Sequence, residues 1–387
     1  MDESPRRPPA HRTRPARILL LGPAPPPYGG LQTLGLRMTA WLQRTGREAR
    51  LIDLAHESGS RQAVHRKDVQ PCGDSLPSIA RQIALFRPDL VHALLPGWRP
   101  TLALVTLAEM ARHRRMPHVR TVVTLSGDTM FDGVPVVARP ALFAAWRRLD
   151  HVIAQDDAIL GWLQRQAGVS PHRSSCIRGY LPPGHDELDP ATLPGNLRHF
   201  LEQHHPVLVA GGAIASWLGA DRTGVDGLIE AARRLRREYP KLGVVYAITV
   251  VQDRDRMQAL RAELARAGLQ DTFQFVSELP SFVALVARAD VYVRAHVLDN
   301  DSPAVREALS LGVPVVASDV APRPPGCEQF APGDPDSLMS ALRAALVRPR
   351  WSPDDQSGDP GAGSELLYLY DRLLAEQSSS FDEPAGT

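Results

Sequence analysis

The sequence contains few cysteines. Its 387 residues include only Cys72, Cys176 and Cys327, which lie far apart and show no CxxC or Cys/His spacing. This number and spacing suggest neither a disulfide framework nor a zinc site. We therefore expect a reduced, cytoplasmic protein.

Net charge is also nearly absent. The 44 Lys+Arg and 43 Asp+Glu residues leave a formal charge of +1 at pH 7. A strong nonspecific attraction to nucleic acid requires a large basic excess, and the sequence shows no basic stripe or aromatic platform. Nucleic acid is not an expected partner.

Long hydrophobic runs are missing as well. A membrane-spanning helix needs roughly 18–20 apolar residues, and the run Ile18–Leu21 is too short even for a signal peptide. The arginine-rich segments Arg112–Arg115 and Arg139–Arg148 leave peripheral contact with anionic lipid heads at the inner membrane face open. A solvated protein surface is the other interpretation of both segments.

The chain does contain short apolar runs that alternate with helical patterns. Such alternation predicts βαβ units and parallel sheets, hence an α/β fold. The pattern stops at a Pro/Gly/His-rich stretch, Leu181–Pro194, and then starts again. In the first half we predict strands at Arg17–Leu21, Ala49–Leu54, Asp89–Ala93, 119–125 and 151–154, and helices at Leu31–Thr45, Ser78–Phe86, 100–113 and 140–148. In the second half we predict strands at Pro206–Ala210, Val244–Thr249, Phe273–Val276, Val291–Val293 and Val313–Ala317, and helices at 225–239, 254–267, 281–288 and 303–311.

The length and this repeated pattern predict two Rossmann-like domains. Polar, Pro/Ser-rich ends are expected to be disordered tails. The predicted division is a tail at 1–16, an N-terminal Rossmann-like domain at 17–190, a C-terminal Rossmann-like domain at 191–346, a spacer with a last helix at 347–375, and a tail at 376–387.

The segment from Asp299 to Gly312 combines an acidic loop with a well-marked helix. Ser302 is a suitable N-cap, Pro303 fits the first helical position, and Gly312 ends the helix. The N-terminus of a helix suits a diphosphate. Glu307 lies five residues after Ser302, about 7–8 Å along the axis, where its carboxylate can accept hydrogen bonds from ribose hydroxyls.

This segment resembles the donor site of family-4-type GT-B glycosyltransferases, the glycosyl transferases of group 1. That family carries two acids with seven residues between them and then an EA…G.PVV(A/S) run. The same spacing separates Asp299 from Glu307, and Ala-Leu-Ser-Leu-Gly-Val-Pro-Val-Val-Ala follows. The resemblance implies a GT-B fold, with two sheets facing across a cleft. It also implies that Asp299 faces the sugar hydroxyls, and that Asp301 and Ser302 join the donor site.

The N-terminal region adds to the resemblance and also departs from it. Gly29 and Gly30 follow the first strand, as in the family's glycine-rich loop, and would let the backbone approach the donor closely. Ser126 stands where many members carry a histidine, and Asp128 is the nearest ionisable group to it. Arg222 alone stands near the position of the family's arginine and lysine pair. Arg294 and His296 are candidate replacements for the missing cation or imidazole.

The resemblance implies a retaining glycosyltransferase that moves a hexosyl-type group from a nucleoside diphosphate sugar. The expected acceptor is a glycan, a lipid-linked or a small molecule, with bacterial polysaccharide or glycoconjugate synthesis as the setting. No cofactor and no metal are expected, because fixed dipoles and cations can stabilise the diphosphate. The expected catalytic residues are Asp299, Glu307, Ser126 and Asp128. The expected donor-binding residues are Gly29, Gly30, Arg222, Arg294, Asp301, Ser302 and Glu307.

Two alternatives stay open from the sequence. One is a GT-B scaffold that binds nucleotide sugars with weak or no turnover, which the missing histidine and the single cation favour. The other is a sugar-nucleotide epimerase of GT-B shape, which needs no acceptor.

Overall fold

A computed structural model shows how the chain folds. The described residues are 14–26, 30–56, 66–94, 119–125, 135–178, 181–217, 220–221, 223–297, 299, 302–350 and 361–379. They form two compact units, the first within 1–26, 31–181 and 360–387 and the second within 27–30 and 182–359. The main part of the second unit thus begins at Pro182, whereas the sequence analysis places the boundary at 190/191 in the same Pro-rich stretch.

The first unit contains a sheet of seven parallel strands. They are β1 (Arg17–Gly22), β2 (Glu48–Asp53), β3 (Val69–Pro71), β4 (Leu90–Leu94), β5 (Arg120–Leu125), β6 (His151–Ala154) and β7 (Ser174–Cys176). Their order in the sheet is β3-β2-β1-β4-β5-β6-β7. The helices with this sheet are α1 (Gly30–Arg44), α2 (Leu76–Phe86), α3 (Arg139–Arg148) and α4 (Asp157–Arg165).

Strand β1 shows why the sheet is covered on both faces. Its residues Ile18–Leu21 are all apolar and each is at most 1% exposed. Successive side chains of a strand point to opposite faces. Accordingly, Leu19 and Leu21 enter one hydrophobic core and Ile18 and Leu20 enter another. A continuous apolar run is the pattern expected of a parallel strand between two layers of helices.

The last helix of the chain packs on the first unit. Leu366, Leu369 and Tyr370 lie in the same core as Ile18 and Leu20. This helix, α11, spans Gly361–Ser379. Its return to the first unit is not evident from its position in the sequence, since it follows the whole of the second unit.

The second unit contains a sheet of six parallel strands. They are β8 (Val207–Ile214), β11 (Gly243–Val251), β12 (Phe273–Ser277), β13 (Val291–Arg294), β14 (Val315–Ser318) and β15 (Cys327–Phe330), in the order β12-β11-β8-β13-β14-β15. A short antiparallel pair, β9 (Ser216–Trp217) and β10 (Ala220–Asp221), follows β8. The helices are α5 (Gly195–Gln203), α6 (Val225–Leu235), α7 (Arg254–Arg266), α8 (Phe282–Val286), α9 (Pro303–Ser310) and α10 (Pro335–Leu346).

Each sheet has a point where its strand order reverses direction. In the first unit the reversal lies between β1 and β4, and in the second between β8 and β13. Ligands of open α/β sheets bind outside the carboxyl ends of the strands at such points. The fold therefore indicates a ligand-binding site at the end of β13 and in the loop after it, in the second unit.

The prediction of two Rossmann-like α/β units is confirmed, with some elements missed. The sequence analysis omitted β3, β7 and β15, which are three or four residues long, and it omitted α4 and α5. The predicted helix at 100–113 lies outside the described residues. None of the helices in the described part of the chain has the length and apolar character that a membrane span requires.

Candidate functional site

Helix α9 begins directly beyond the reversal point of the second sheet. Pro303 occupies its first turn, and Gly312, with a φ of 69°, follows its end. Ser302 occupies the predicted N-cap position, but its side chain makes no capping hydrogen bond. Its carbonyl oxygen instead accepts a hydrogen bond from the N–H of Val305 at 3.1 Å. The hydroxyl of Ser302 therefore does not accept a hydrogen bond from the backbone N–H groups in the first turn of α9, which are left to other hydrogen-bond acceptors.

Asp299 lies between two guanidinium groups. Arg294, the last residue of β13, donates from Nε to Oδ2 of Asp299 at 3.0 Å and from Nη2 to Oδ1 at 2.6 Å. Arg323 places its Nη1 2.8 Å from Oδ2 of the same carboxylate. The side chains are 2% exposed for Asp299, 0% for Arg323 and 17% for Arg294. Both carboxylate oxygens are thus engaged by protein cations.

Arg323 is itself fixed at the end of strand β14. Its Nε donates to the carbonyl oxygen of Ser318 at 2.8 Å, and its Nη2 donates to the Ser318 hydroxyl at 3.2 Å. That hydroxyl donates to the carbonyl oxygen of His296 at 2.6 Å. The network joins β14 to the loop after β13, so the orientation of Asp299 depends on residues from both strands.

The electrostatics of this cluster favour full ionisation. Burial raises the pKa of Asp299, but the hydrogen bonds and charge of Arg294, together with His296 and Arg323, lower it further than burial raises it. Burial lowers the pKa of Arg294, and the contacts with Asp299 reverse that effect and raise it. Two guanidinium groups share the one carboxylate of Asp299, and the side chain of Arg294 is partly exposed, which suits contact with an anionic ligand.

Glu307 adds a second carboxylate on helix α9. It is 8% exposed. Burial, as the largest cause, raises the pKa of the Tyr292 phenol to about 12, and the charges of Arg294, Asp299 and Glu307 also act on it. Because Coulomb effects on a pKa decline with distance, Glu307 belongs to the same charged cluster as Arg294 and Asp299.

Glycines bring the backbone of neighbouring segments close to this cluster. A Cβ on Gly212, in β8, would lie 2.8 Å from Oη of Tyr246 and 3.0 Å from the ring of His296. A Cβ on Gly224 would lie 2.0 Å from the carbonyl oxygen of Ala295, and the φ of Gly224 is 72°. Only glycine allows the end of β8 and the start of α6 to approach the loop after β13 so closely.

Asp221 secures the segment that leads into α6. Its Oδ1 accepts from the N–H of Thr223 at 2.9 Å, and its Oδ2 accepts from the N–H of Asp226 at 2.9 Å. These bonds satisfy amides that the start of the helix would leave unpaired.

The structure brings together four of the predicted site residues, Arg294, Asp299, Ser302 and Glu307, all in the second unit. Gly30 begins helix α1, and a Cβ there would meet no atom within 4 Å. The remaining predicted residues, Ser126, Asp128, Gly29, Arg222 and Asp301, lie outside the described residues.

The sequence analysis missed Arg323. It stands in the Pro322–Gly326 segment that follows strand β14, 24 positions after Asp299. Sequence spacing does not show that these two side chains meet, because the contact depends on the pairing of β13 with β14. A lone arginine between prolines carries no signal of its own.

Metal binding has no candidate cluster in the part of the chain that the structure describes. Within those residues, no three or more His, Cys, Asp or Glu side chains come together in a way that could hold an ion.

Comparison with known proteins identifies the fold. A search of curated protein sequences found no match. Residues 206–347 match the family model "Glycosyl transferases group 1".

The solved structures most useful for comparison cover nearly the whole chain. Anabaena HepE in complex with UDP and glucose has 18% identity and a TM-score of 0.61, over 94% of this chain and 100% of that one. Sucrose-phosphate synthase from Thermosynechococcus elongatus has 16% identity and a TM-score of 0.60, over 93% and 100%. WaaG, a glycosyltransferase involved in lipopolysaccharide biosynthesis, has 15% identity and a TM-score of 0.55, over 95% and 99%.

These likenesses confirm the predicted fold class. The chain has the GT-B fold, and its residues 206–347 are similar to the glycosyl transferases of group 1.

Proposed function

We propose that the protein is a retaining glycosyltransferase that moves a hexosyl-type group from a nucleoside diphosphate sugar to a carbohydrate-containing acceptor. The observation that carries this proposal is the Arg294–Asp299–Arg323 cluster, with the partly exposed guanidinium of Arg294, near the N-terminus of α9 that carries the buried Glu307. It lies where the strand order of the second sheet reverses, which is where such folds bind ligands.

Arg294 is the cation of this cluster that can reach a ligand. Its side chain is 17% exposed, whereas that of Arg323 is fully buried. Asp299 holds Arg294 through Nε and Nη2, so the plane of the guanidinium is fixed before a ligand arrives. We therefore assign Asp299 the positioning of Arg294 toward the diphosphate, in place of the contact with sugar hydroxyls that the sequence predicts.

We assign to Glu307 the binding of the ribose of the donor. A carboxylate accepts hydrogen bonds from two hydroxyl groups, and the position of Glu307 in α9 sets it about 7–8 Å along the helix from the cap. A diphosphate at the helix N-terminus places its ribose at that distance.

The reaction requires cleavage of the bond between the anomeric carbon and the diphosphate oxygen. Negative charge develops on the diphosphate as this bond breaks. The N-terminus of α9 and Arg294 would stabilise that charge as fixed dipoles and cations, without a metal ion or cofactor. Retention of the anomeric configuration follows the family that the sequence resembles.

The solved relatives support a nucleotide sugar as donor and a glycoconjugate as product. HepE has been solved with UDP-glucose, and WaaG acts in lipopolysaccharide biosynthesis. We infer a cytoplasmic enzyme of polysaccharide or glycoconjugate synthesis. Val137, which is 90% exposed, stands just before the arginine-containing helix α3. This pairing of apolar and basic residues supports peripheral contact with an anionic membrane that holds a lipid-linked acceptor.

A donor screen by thermal shift tests the proposal. UDP-, GDP- and ADP-sugars are added to the wild type, to Glu307→Ala and to a control, Glu202→Ala, which changes an exposed glutamate of α5. We expect one nucleotide class to stabilise the wild type and the control but not Glu307→Ala. Equal stabilisation of all three proteins would remove Glu307 from the site.

Release of free nucleotide separates an enzyme from a scaffold. Asp299 has both oxygens engaged by arginines, which favours the scaffold as the second candidate, since this carboxylate is then less available to the sugar. The enzyme is expected to release nucleoside diphosphate from its preferred donor in the presence of pooled acceptors. Binding without release would identify a scaffold.

A further inference from the structure

Strand β12 forms an open edge of the second sheet. Among the described strands it pairs with β11 alone, and it is the last strand on that side of the sheet. A groove of about 550 Å³ is lined by all five residues of β12 and by residues of α5 and α7. These two helices pack on opposite faces of the sheet, so the groove follows the open edge. Such an edge presents a row of backbone N–H and C=O groups to another strand.

The other edge strands of the two described sheets carry features that discourage pairing with another chain. Strand β3 is three residues long and ends in Pro71, and β7 is also three residues long. Strand β15 carries Glu328, whose carboxylate pairs with Arg348 at 2.5 Å. Short length, proline and charge are the means by which natural edge strands avoid pairing. Strand β12 has five residues, Phe-Gln-Phe-Val-Ser, without proline or charge, and its register with β11 is regular.

The hydrogen bonds of β12 show which of its backbone groups face outward. The carbonyl oxygen of Thr272 accepts from the N–H of Val244 in β11 at 2.7 Å. Because backbone groups alternate in direction along a strand, the even-numbered residues of β12 bond to β11. The residues whose backbone groups face outward are the odd-numbered ones, Phe273, Phe275 and Ser277.

Two of these outward N–H groups are available to a second strand. The N–H of Phe273 already donates to the carbonyl oxygen of Leu269 at 2.8 Å. The N–H groups of Phe275 and Ser277 have no backbone partner in the part of the chain that the structure describes. The pattern of available donors and acceptors therefore centres on Phe275.

A second, antiparallel copy of β12 satisfies these groups when the two-fold axis passes at Phe275. The two Phe275 residues then exchange both of their hydrogen bonds, as opposite residues of an antiparallel pair do. Each Ser277 N–H donates to the carbonyl oxygen of Phe273 in the other copy, which needs no group that is already engaged. The two Phe275 rings also become cross-strand neighbours, and aromatic pairs of this kind stabilise sheets.

The charges beside the edge also favour a second copy. Arg261 on α7 and Glu278 after β12 are exposed, and neither has an ion-pair partner among the described residues. Leu264, on the turn after Arg261, packs in the same core as Phe273, so Arg261 lies beside the first residues of β12. The antiparallel copy places its Glu278 opposite Thr272, at those same residues. Opposite charges thus meet at both ends of the paired strands.

We propose that the protein forms a two-fold symmetric dimer in which the β12 strands of two copies pair antiparallel about Phe275. The second sheets of the two copies then join into one continuous sheet, and the same surface serves on both sides, as a closed two-fold interface requires. The β12 edge lies two strands away from the reversal point between β8 and β13. The interface is therefore separate from the candidate donor site and does not depend on the proposed function.

Sedimentation equilibrium of the full chain tests the dimer. We expect a mass twice the 42.3 kDa of one chain at high concentration. A monomer at every concentration up to the solubility limit would overturn the proposal and leave the edge to a strand of a different protein.

A single charge on the edge separates this interface from any other. Gln274 lies opposite Val276 of the second copy, so Gln274→Lys brings a charge against an apolar side chain. We expect a dissociation constant of the dimer that is higher by about tenfold or more. The control is Gln329→Lys, the same change at an exposed position of edge strand β15, which should dimerise as the wild type does. Unchanged dimerisation of Gln274→Lys would contradict the proposal, and thermal unfolding verifies that both variants fold.

Hydrogen exchange shows what covers the edge. The amides of Phe275 and Ser277 should exchange slowly in the wild-type dimer and faster in Gln274→Lys. Equal protection in both proteins would mean that a segment of the same chain covers the edge, and this would overturn the proposal.

A disulfide tests the register of the two strands. Gln274 and Val276 of opposite copies form a non-hydrogen-bonded pair, with Cα atoms about 4.5 Å apart, which a disulfide can span. Gln274→Cys/Val276→Cys should therefore give a covalent dimer on oxidation. The wild type, with its native cysteines, and Gln274→Cys alone, whose counterpart lies two residues away, should not. A dimer of the wild type without a cross-link in the double variant would place the interface elsewhere.

Discussion

At the scale of single residues, the decisive feature is one carboxylate shared by two arginines. Asp299 contacts Arg294 and Arg323, and only Arg294 has an exposed fraction with which to meet a ligand. An ion pair buried in this way depends strongly on both partners, since removal of one leaves the other charge uncompensated.

We predict that Arg323→Met weakens nucleoside diphosphate binding although Arg323 is fully buried. Loss of its contact releases Asp299 and with it the orientation of Arg294. A hydrogen bond to a charged group contributes about 1.5–3 kcal/mol, so we expect an affinity for UDP that is lower by about 10- to 100-fold. Affinity for uridine, which lacks the diphosphate, should change little. Isothermal titration with both ligands measures the two effects.

Arg343→Met is the matched control for this prediction. Arg343 pairs with Glu238 on the surface of the same unit, at 2.6 Å, and such exposed pairs contribute little. Equal losses of UDP and uridine affinity in Arg323→Met would indicate a general disturbance of the unit and contradict the positioning role.

Sequence reasoning named Asp299, Ser302 and Glu307 as candidates because they stand in one short segment with recognisable helix signals. It named Arg294 as a candidate replacement for the missing cation. It could not identify Arg323, whose contact with Asp299 bridges two strands. It also could not show that the Ser302 hydroxyl makes no cap hydrogen bond, since the same residue type with a different rotamer has a different partner.

At the scale of elements, glycine controls how closely helix α6 approaches the loop after β13. Gly224 precedes α6 with a φ of 72°, a conformation that other residues adopt at a cost of about 1–3 kcal/mol. A side chain there would also meet the backbone of Ala295, which cannot move away easily.

We predict that Gly224→Ala lowers the free energy of unfolding by at least about 1–3 kcal/mol. The control is Gly227→Ala, three residues further along α6, where a Cβ would lie 3.6 Å from Leu338. There alanine relieves the low helix propensity of glycine by up to about 1 kcal/mol. Urea denaturation of both variants measures the difference, and similar stability of the two would contradict the close approach.

Two histidines make the first unit sensitive to acid. Burial, the largest cause, lowers the pKa of His92 to about 3 and that of His151 to about 4. The nitrogens of the His92 ring meet Oη of Tyr370 at 2.5 Å and Oγ1 of Thr124 at 2.7 Å. These partners link strands β4 and β5 to helix α11.

We predict that the free energy of unfolding falls as the pH decreases from about 6.5 toward 4. In this window the unfolded chain binds protons at His92 and His151 and the native state does not, so stability increases with pH. The slope approaches about 1.4 kcal/mol per pH unit for each histidine. Replacement by His92→Gln should reduce the slope, which urea denaturation at several pH values measures. An unchanged slope would place the acid sensitivity elsewhere.

At the scale of the whole molecule, the last helix joins the first unit although it follows the second in the chain. Five of its side chains are buried there, Leu366, Leu369, Tyr370, Leu373 and Leu374. Arg47 of the first unit also pairs with Asp371 at 2.6 Å. A buried apolar side chain contributes about 1.5–3 kcal/mol, and the sum is comparable with the stability of a typical domain, about 5–15 kcal/mol.

We predict that truncation after residue 350 unfolds the first unit or makes the protein insoluble. Truncation after residue 379, which keeps the helix, is the control. Soluble expression and thermal unfolding of the two proteins measure the effect. A folded protein of normal stability without residues 361–379 would show that the helix is dispensable for the core.

Local patterns in the sequence predict the α/β class, the repeat of that pattern in two units and the segment proposed to carry the donor site. These features depend on local signals, namely continuous apolar runs for buried parallel strands and helix caps with a fixed spacing of acids. The partners of Asp299, the contact of Asp53 with His56 at the end of β2 and the return of α11 to the first unit follow only from the way the elements pack. Side-chain contacts between elements depend on how the strands pair and how the helices pack on them. A short stretch of sequence does not specify that pairing and packing.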